Sequence, residues 1–360
     1  MSKKNILIIC GGKSAEHLVS VISARNVIKS MNKEKYDIIL VGIDMNGSWY
    51  KYKSCDALTT DSIEMVEKGD NNEEIILIPG KKDPLHTLSE SMGNIDAVFP
   101  VLHGTFGEDG CIQGLLNMLN LPFVGPDVIG SSLAMDKDIV KKILSDSGIY
   151  NADYIVVRKE DRTNIDISTI IKKLSLPLFI KPANLGSSIG ISKASSEKEL
   201  ITAIDLALEF DAKIIIEECI VGREIECAVL GNEYPKASLP GEVILHDEFY
   251  AYDTKYVSEN GATLVVPAEL NKDLIKKIQE KAIFVYKLIE CKGMARVDFF
   301  ITKDEKLYIN EVNTIPGFTS ISMYPSMWKA SGLPYSQLID RLLELAIERF
   351  ELKSSLRTTM

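Results

Sequence analysis

Two dyads near the C-terminal end carry the densest chemistry in the chain. Arg296 and Asp298 lie two apart in GMARVDFF, and Glu311 and Asn313 lie two apart in INEVN. Each dyad sits in an apolar run of strand character, and side chains two apart on a strand share a face. The TKDEK between the runs reads as a turn, which makes the strands antiparallel neighbours. Two acids and an amide oxygen on one sheet face form a hard oxygen set. Mg²⁺ binds this way, keeping waters and nucleotide phosphates in its other positions. Arg296 beside them can stabilise charge developing on a transferred group. The plainer alternative is a salt-bridged solvent face; Val297, Phe299 and Ile301 weigh against it, because they already mark the core side.

Two glycine-rich segments invite comparison with phosphate loops. Gly12-Lys13-Ser14 resembles the end of a P-loop, but the Gly required five residues earlier is Leu7, and no G-x-G-x-x-G follows the strand. What remains is a strand, a double-glycine turn and a helix N-terminus able to face a small ligand. KPANLGSSIG, residues 181–190, lies between two apolar runs and is expected to be a loop joining strands. Gly186, Ser187, Ser188 and Gly190 allow backbone and hydroxyls to close over phosphates, with Lys181 supplying positive charge. Ordinary tight turns are the alternative for both segments.

HGTFGEDG, residues 103–110, ends a buried run, and its glycines are expected to expose His103 and Glu108 at a strand's carboxyl end. Ligands bind there in open α/β sheets. A structural histidine is the competing reading. FYAYDTKY, residues 249–256, is expected in a long loop, where its three tyrosines would suit either a water-excluding lid or a stacked surface turn.

The elements that position these residues follow from hydrophobic period. Runs at 5–10, 37–43 and 96–102 read as buried strands, with helices at 14–29 and 110–119, which predicts βαβ units and a parallel sheet. A hairpin around 75–78 elaborates the intervening polar stretch. After residue 135 the pattern changes. Strands are expected at 153–158, 177–182, 188–192 and 213–217, with a helix at 196–209. The stretch 222–230 alternates Ile225, Cys227 and Val229 with Glu224, Glu226 and Ala228, as an antiparallel strand with one wet face would. A helix at 271–290, strands at 294–302 and 306–313, and an amphipathic helix at 335–350 complete the chain.

Composition agrees with a soluble globular protein. The 360 residues are 46% hydrophobic and 26% charged, enough for two to three domains. A formal net charge of −10 argues against nucleic acid or an anionic membrane as primary partner. Six scattered cysteines form no C-x-x-C pair, and four separated histidines form no cluster, so buried reduced thiols in a cytoplasmic protein are expected. No run approaches the ~18 apolar residues of a membrane span.

These motifs, in this order and spacing, resemble the D-alanine–D-alanine ligases of the ATP-grasp superfamily. The resemblance runs from GGKSAE at 11–16 through Met135-Asp136-Lys137, KPANLGSSIG, GREIECAVLG, FYAYDTKY and GMARVDFF to INEVNTIPGFTSISMYP. It implies a Rossmann-like substrate domain over 1–135, a central ATP-grasp lobe over 136–231 and a C-terminal lobe over 232–360, an α/β and α+β architecture. It implies that Lys137, Lys181 and Lys255 contact phosphates, Glu217 and Glu224 the nucleoside, and Ser188 the phosphate-covering loop. Asp298, Glu311 and Asn313 would hold two Mg²⁺, or Mn²⁺, with Glu311 bridging. Glu16 would bind the first D-alanine's ammonium and connect through Ser187 to Tyr256, with His103 nearby. Arg296 and Gly317 would form the oxyanion site, and Ser322 and Met323 would meet the second D-alanine's carboxylate.

The implied reaction activates one D-alanine as an acylphosphate with ATP, then joins it to a second for peptidoglycan precursors. A homodimer is also implied. Tyr256 matches the dipeptide-forming type; D-serine or D-lactate as acceptor, or a nucleotide sensor without catalysis, are the alternatives. The sensor would call for a broken metal set or missing lysines, and these are intact. Leu18 departs from the glutamate of many relatives, which touches fine tuning of the substrate helix.

Overall fold

The computed structural model describes residues 2–58, 65–69, 72–246 and 262–357. The first sheet contains β1 (Lys4–Gly11), β2 (Tyr36–Ile43), β3 (Trp49–Tyr52), β4 (Asn72–Leu77), β5 (Leu85–Thr87) and β6 (Ala97–Pro100), in the order β5-β4-β3-β2-β1-β6. From Ile6 onward β1 is buried, so it lies centrally, with β2 and β6 parallel on either side. The expected parallel sheet is therefore only its core. The strands β3, β4 and β5 add to it antiparallel, and the hairpin expected around 75–78 is β4 with β5. At the end of β1, Gly11 has φ +86°, and a Cβ there would lie 2.3 Å from the Ile43 carbonyl. Only glycine lets the chain turn into α1 (His17–Ser30) past the end of β2.

Beyond β6 come α2 (Cys111–Met118), α3 (Val128–Met135) and α4 (Lys137–Asp146). The carboxylate of Asp136 caps α4 by accepting from the N–H groups of Asp138 and Ile139, which fixes Lys137 in the first turn. A second, antiparallel sheet follows: β7 (Tyr154–Arg158), β8 (Leu178–Pro182), β9 (Ser192–Ala194) and β10 (Lys213–Glu218), ordered β7-β10-β8-β9. Its apolar face, Ile180, Ile214 and Ile216, packs on Ile170 of α5 (Ile167–Leu174) and on Leu200 and Ile204 of α6 (Glu197–Phe210).

The third sheet is also antiparallel. It comprises β11 (Arg223–Gly231), β12 (Lys236–Ala237), β13 (Gly241–Leu245), β14 (Ala262–Val265), β15 (Gly293–Ile301) and β16 (Leu307–Asn313), ordered β14-β13-β11-β15-β16 with β12 paired to β11. One face carries Ile225, Cys227, Val297 and Phe299 against Leu274, Ile278 and Val285 of α7 (Lys272–Leu288). The other face is covered by α8 (Met323–Ala330) and α9 (Tyr335–Ser354), whose Tyr324, Leu338 and Leu342 share a core with Ile6 and Ile8 of β1. Phe99 of β6 meets Phe318 edge-on at 5.5 Å within that core.

Two expectations about strands are corrected. No strand covers 188–191; the chain turns there and becomes strand only at Ser192, because Ser187, Ser188 and Gly190 all take positive φ. The alternation in β11 is real, but neither face is wet from Ile225 to Gly231, since Ala228 and Leu230 belong to the core shared with α8 and α9. Of the cysteines, Cys10, Cys227 and Cys291 are buried as expected, but Cys111 is exposed and Cys55 and Cys219 are half-buried, all as free thiols. Among the described residues no helix is long and apolar enough to cross a membrane.

Arg349 of α9 ties the first sheet to the third. It donates to the carbonyls of Gly125 and of Phe123, the latter at 2.8 Å, and lies over the Phe123 ring at 4.6 Å. Arg349→Met strips both carbonyls of a charged donor. It should cost about 2 kcal/mol and lower the thermal midpoint read by circular dichroism; an unchanged midpoint would remove Arg349 from this role.

Candidate active site

The second and third sheets face each other across a cavity of about 450 Å³. Its lining joins most of the residues singled out by sequence: Lys137, Lys181, Ser188, Glu217, Glu224, Arg296, Asp298, Glu311, Gly317, Ser322 and Met323. Lys255 and Tyr256, with the rest of FYAYDTKY, lie outside the described residues.

The floor is set by strand register. On β11, β15 and β16, Glu226, Asp298 and Glu311 are in one row, and Ala228, Arg296 and Asn313 in the next. The Arg296 guanidinium grips Asp298 with both arms, Nε to Oδ1 at 2.8 Å and Nη2 to Oδ2 at 2.7 Å. Its Nε also lies 2.9 Å from Glu226 Oε2. Burial opposes the charge of Arg296, but Asp298 and then Glu226 outweigh it and hold the group firmly protonated. Asn313 donates its amide to Asp298 Oδ2 at 2.8 Å. The two carboxylates and one amide present only oxygen ligands, so their chemistry fits Mg²⁺. Among the described residues no set of three His, Cys, Asp or Glu gathers as a metal cage, so such a site would need substrate oxygens to complete it.

The cation wall comes from α4, β8 and β10. Glu217 is buried between Lys141, at 2.7 Å, and Lys181. Burial pushes the Glu217 carboxyl up, but Lys141 and Lys181 pull it down to about 2. Lys181 is likewise disfavoured by burial and rescued by Glu217, ending with a raised pKa. Lys137 donates to the Leu185 carbonyl at 2.5 Å, and burial lowers its pKa. Lys141 was missed from sequence, although it lies one helical turn after Lys137 and so on the same face of α4. Glu226 was noticed only as part of the face expected to be wet.

The loop over the cavity is held at its tip. Ser187 donates to a carboxylate oxygen of Glu16, the N-cap residue of α1. The Glu16 side chain is not spent on capping, so the helix N-terminus and the loop share its charge. Ser187 and Ser188 have φ of +51° and +60°, a left-handed conformation that serines rarely adopt, which Gly186 and Gly190 flank. Gly104 passes so close that a Cβ would lie 2.4 Å from Glu16 Oε2.

His103 and Glu108 are not exposed as expected. Both are drawn inward to the backbone of Ile315, which follows β16. His103 Nδ1 pairs with the Ile315 carbonyl at 3.0 Å and its Nε2 with Ser23 Oγ at 3.0 Å. Glu108 accepts from the N–H groups of Ile315 at 3.0 Å and Gly104 at 2.8 Å. Burial, then the nearby Glu16 charge, raises the Glu108 pKa. The first-sheet loop and the Arg296 strand pair are thus latched through one residue, Ile315. At the opposite rim, Ser322 precedes α8 and accepts from Thr319 N–H at 2.9 Å, and Gly317 leaves no room for a Cβ, which would lie 2.8 Å from Ser322 Oγ.

Two antiparallel sheets closing on a cleft with buried lysines on one wall and a carboxylate–amide row on the other define an ATP-grasp ligase. The models for the D-ala D-ala ligase N-terminus and C-terminus match residues 5–126 and 143–344. The chain belongs to the D-alanine–D-alanine ligase family. It is 48% identical to the D-alanine–D-alanine ligase of Shouchella clausii, over 100% of this chain and 99% of that one. The D-alanine–D-alanine ligase structure from Coxiella burnetii superposes with TM-score 0.89 at 40% identity, over 98% of this chain and 97% of that one. The VanG D-Ala:D-Ser ligase of Enterococcus faecalis gives 0.84 at 37%, over 96% and 100%. The Bacillus anthracis D-alanine–D-alanine ligase complexed with ATP gives 0.74 at 28%, over 98% and 100%. The protein is an enzyme that joins D-alanine to D-alanine.

Burial holds the pKa of His103 down to about 4, although its bond to Ile315 favours the charged ring. The unfolded chain therefore takes up that proton first. The stability from the neutral ring is complete above pH 6.5 and is lost as pH falls from there through 4, about 3 kcal/mol in all. Thermal midpoints measured across that interval should fall more steeply for the wild type than for His103→Gln; parallel slopes would remove His103 as the source.

Proposed function

We propose that the enzyme phosphorylates the carboxylate of one D-alanine with ATP and then lets the amine of a second displace phosphate. A carboxylate cannot expel oxide, so it must first become an acylphosphate. The observation that carries this reading is the pair of opposed walls. Lys137 and Lys181 face a floor of Arg296, Asp298 and Glu311 across one cavity, with Asn313 bonded to Asp298 from the next register row. Anionic phosphate needs the first wall, and charge built up at the transferred group needs the second.

In this reading Lys137, Lys181 and Lys255 bind phosphates, Glu217 and Glu224 meet the nucleoside, and the loop at Ser187 and Ser188 covers the phosphoryl group. Asp298, Glu311 and Asn313 would hold two Mg²⁺, or Mn²⁺, Glu311 serving both, and the ions would supply neutralisation of phosphoryl oxygens. Glu16 binds the ammonium of the first D-alanine and is linked through Ser187 to Tyr256. His103, with both ring nitrogens bonded internally, acts by positioning the loop beside that substrate. Arg296 and the Gly317 N–H stabilise the oxyanion when the second amine attacks. Ser322 and Met323, at the start of α8, receive the second carboxylate, which suits the positive end of a helix. The chain is divided as 1–135, 136–231 and 232–360, acts as a cytoplasmic homodimer and supplies peptidoglycan precursors.

Incubation with ATP, Mg²⁺ and D-alanine should yield ADP, phosphate and D-alanyl-D-alanine. Turnover only with D-serine or D-lactate as acceptor would refute the acceptor assignment. Arg296→Ala should lower kcat by about 10²-fold or more; a loss under about threefold would remove Arg296 from the oxyanion. Glu311→Gln should raise the Mg²⁺ concentration needed for half-maximal rate, and an unchanged titration would sink the bridging role.

A further inference from the structure

The buried floor holds one guanidinium between two carboxylates, and only one of them has a role above. Glu226 and Asp298 are directly opposite on β11 and β15, a placement that repels unless something sits between like charges. Arg296 sits there, and the three side chains are only 10–12% exposed. Asp298 Oδ1 accepts from Arg296 Nε, and Oδ2 accepts from both Arg296 Nη2 and Asn313 Nδ2. Three of the roughly four lone-pair sites of Asp298 are therefore already taken by Arg296 and Asn313. A divalent cation at Asp298 competes with Arg296 for that carboxylate, and a buried guanidinium released with no other carboxylate beside it is strongly disfavoured.

We propose that Glu226 is a positioning residue, the alternative carboxylate that keeps Arg296 in place when Asp298 turns to the divalent cation. This rests on the assignment of Asp298 as a cation ligand. Glu226 Oε2 is already 2.9 Å from Arg296 Nε, so the exchange needs a reorientation of the guanidinium rather than a movement of the strand. It leaves Arg296 on the floor of the cleft, where a developing oxyanion would be met. The inference separates two effects of a carboxylate. One is the direct attraction of Glu226 for a cation, which would act whatever stands at 296. The other is the release of Asp298, which acts only through Arg296.

The test is Mn²⁺ binding in the presence of ADP, followed by the electron paramagnetic resonance signal of free Mn²⁺, on the full chain without D-alanine. Asp298→Asn should weaken binding, which checks the assignment beneath the proposal. Glu226→Gln should weaken it by about tenfold, and Glu226→Asp should restore most of the loss. In an Arg296→Met background, Glu226→Gln should cost less than about twofold, because the competing guanidinium is gone. Arg296→Gln serves the same purpose if the Met variant does not fold. Normal binding by Asp298→Asn would overturn the cation assignment and this proposal together. A full Asp298→Asn loss with an equal Glu226→Gln cost in both backgrounds, or with no Glu226→Gln cost at all, would overturn this proposal alone.

Discussion

One guanidinium on the floor of a sheet governs the arrangement of the cleft. Arg296 is almost wholly enclosed, and a buried charge persists only where opposite charge and hydrogen bonds compensate it. Asp298 and Glu226 supply that compensation from adjoining strands, and Asn313 completes the acceptor pattern of Asp298. The β11–β15–β16 register is consequently locked by chemistry as well as by the apolar face beneath it. A slip by one residue would turn Arg296 and Asp298 into the α7 core and Val297 into the cleft.

The opposite wall repeats the principle with the charges reversed. Glu217 is a single buried carboxylate between two lysines. Its neutralisation by Lys141 leaves the charge of Lys181 available to an anion, in a protein whose overall balance is acidic. Lys141 and Glu226 thus play comparable parts. Each sits beside a cation or carboxylate that faces the cavity and offsets part of its burial.

The first sheet reaches this cleft through few but well-defined contacts. Ile315 offers its N–H to Glu108 and its carbonyl to His103, and Ser187 donates to Glu16. Phe318, next to Gly317 at the rim, anchors the same segment in the core shared by β1, α8 and α9. Elements from distant parts of the chain therefore meet at fixed distances without a continuous sheet joining them.

Most of the site was legible in the sequence because its spacing is local. Pairs two apart on strands put Arg296 with Asp298 and Glu311 with Asn313, and the short turn between the runs made them antiparallel; the structure agrees. The amphipathic period of α9 and the apolar runs of β1 and β2 were equally readable. The wet face expected for β11 failed because alternation marks two different faces, not which of them meets water. Exposure of His103 and Glu108 failed because glycine allows a turn without saying what packs over it. Short strands such as β3, and the inward placement of Lys141, carried little signal of their own. Residue type and spacing thus determined the chemistry available to this chain. Only tertiary packing decided which charges face each other, since partners such as Lys181 and Glu217, or Glu108 and Ile315, are brought together by contacts that no local period encodes.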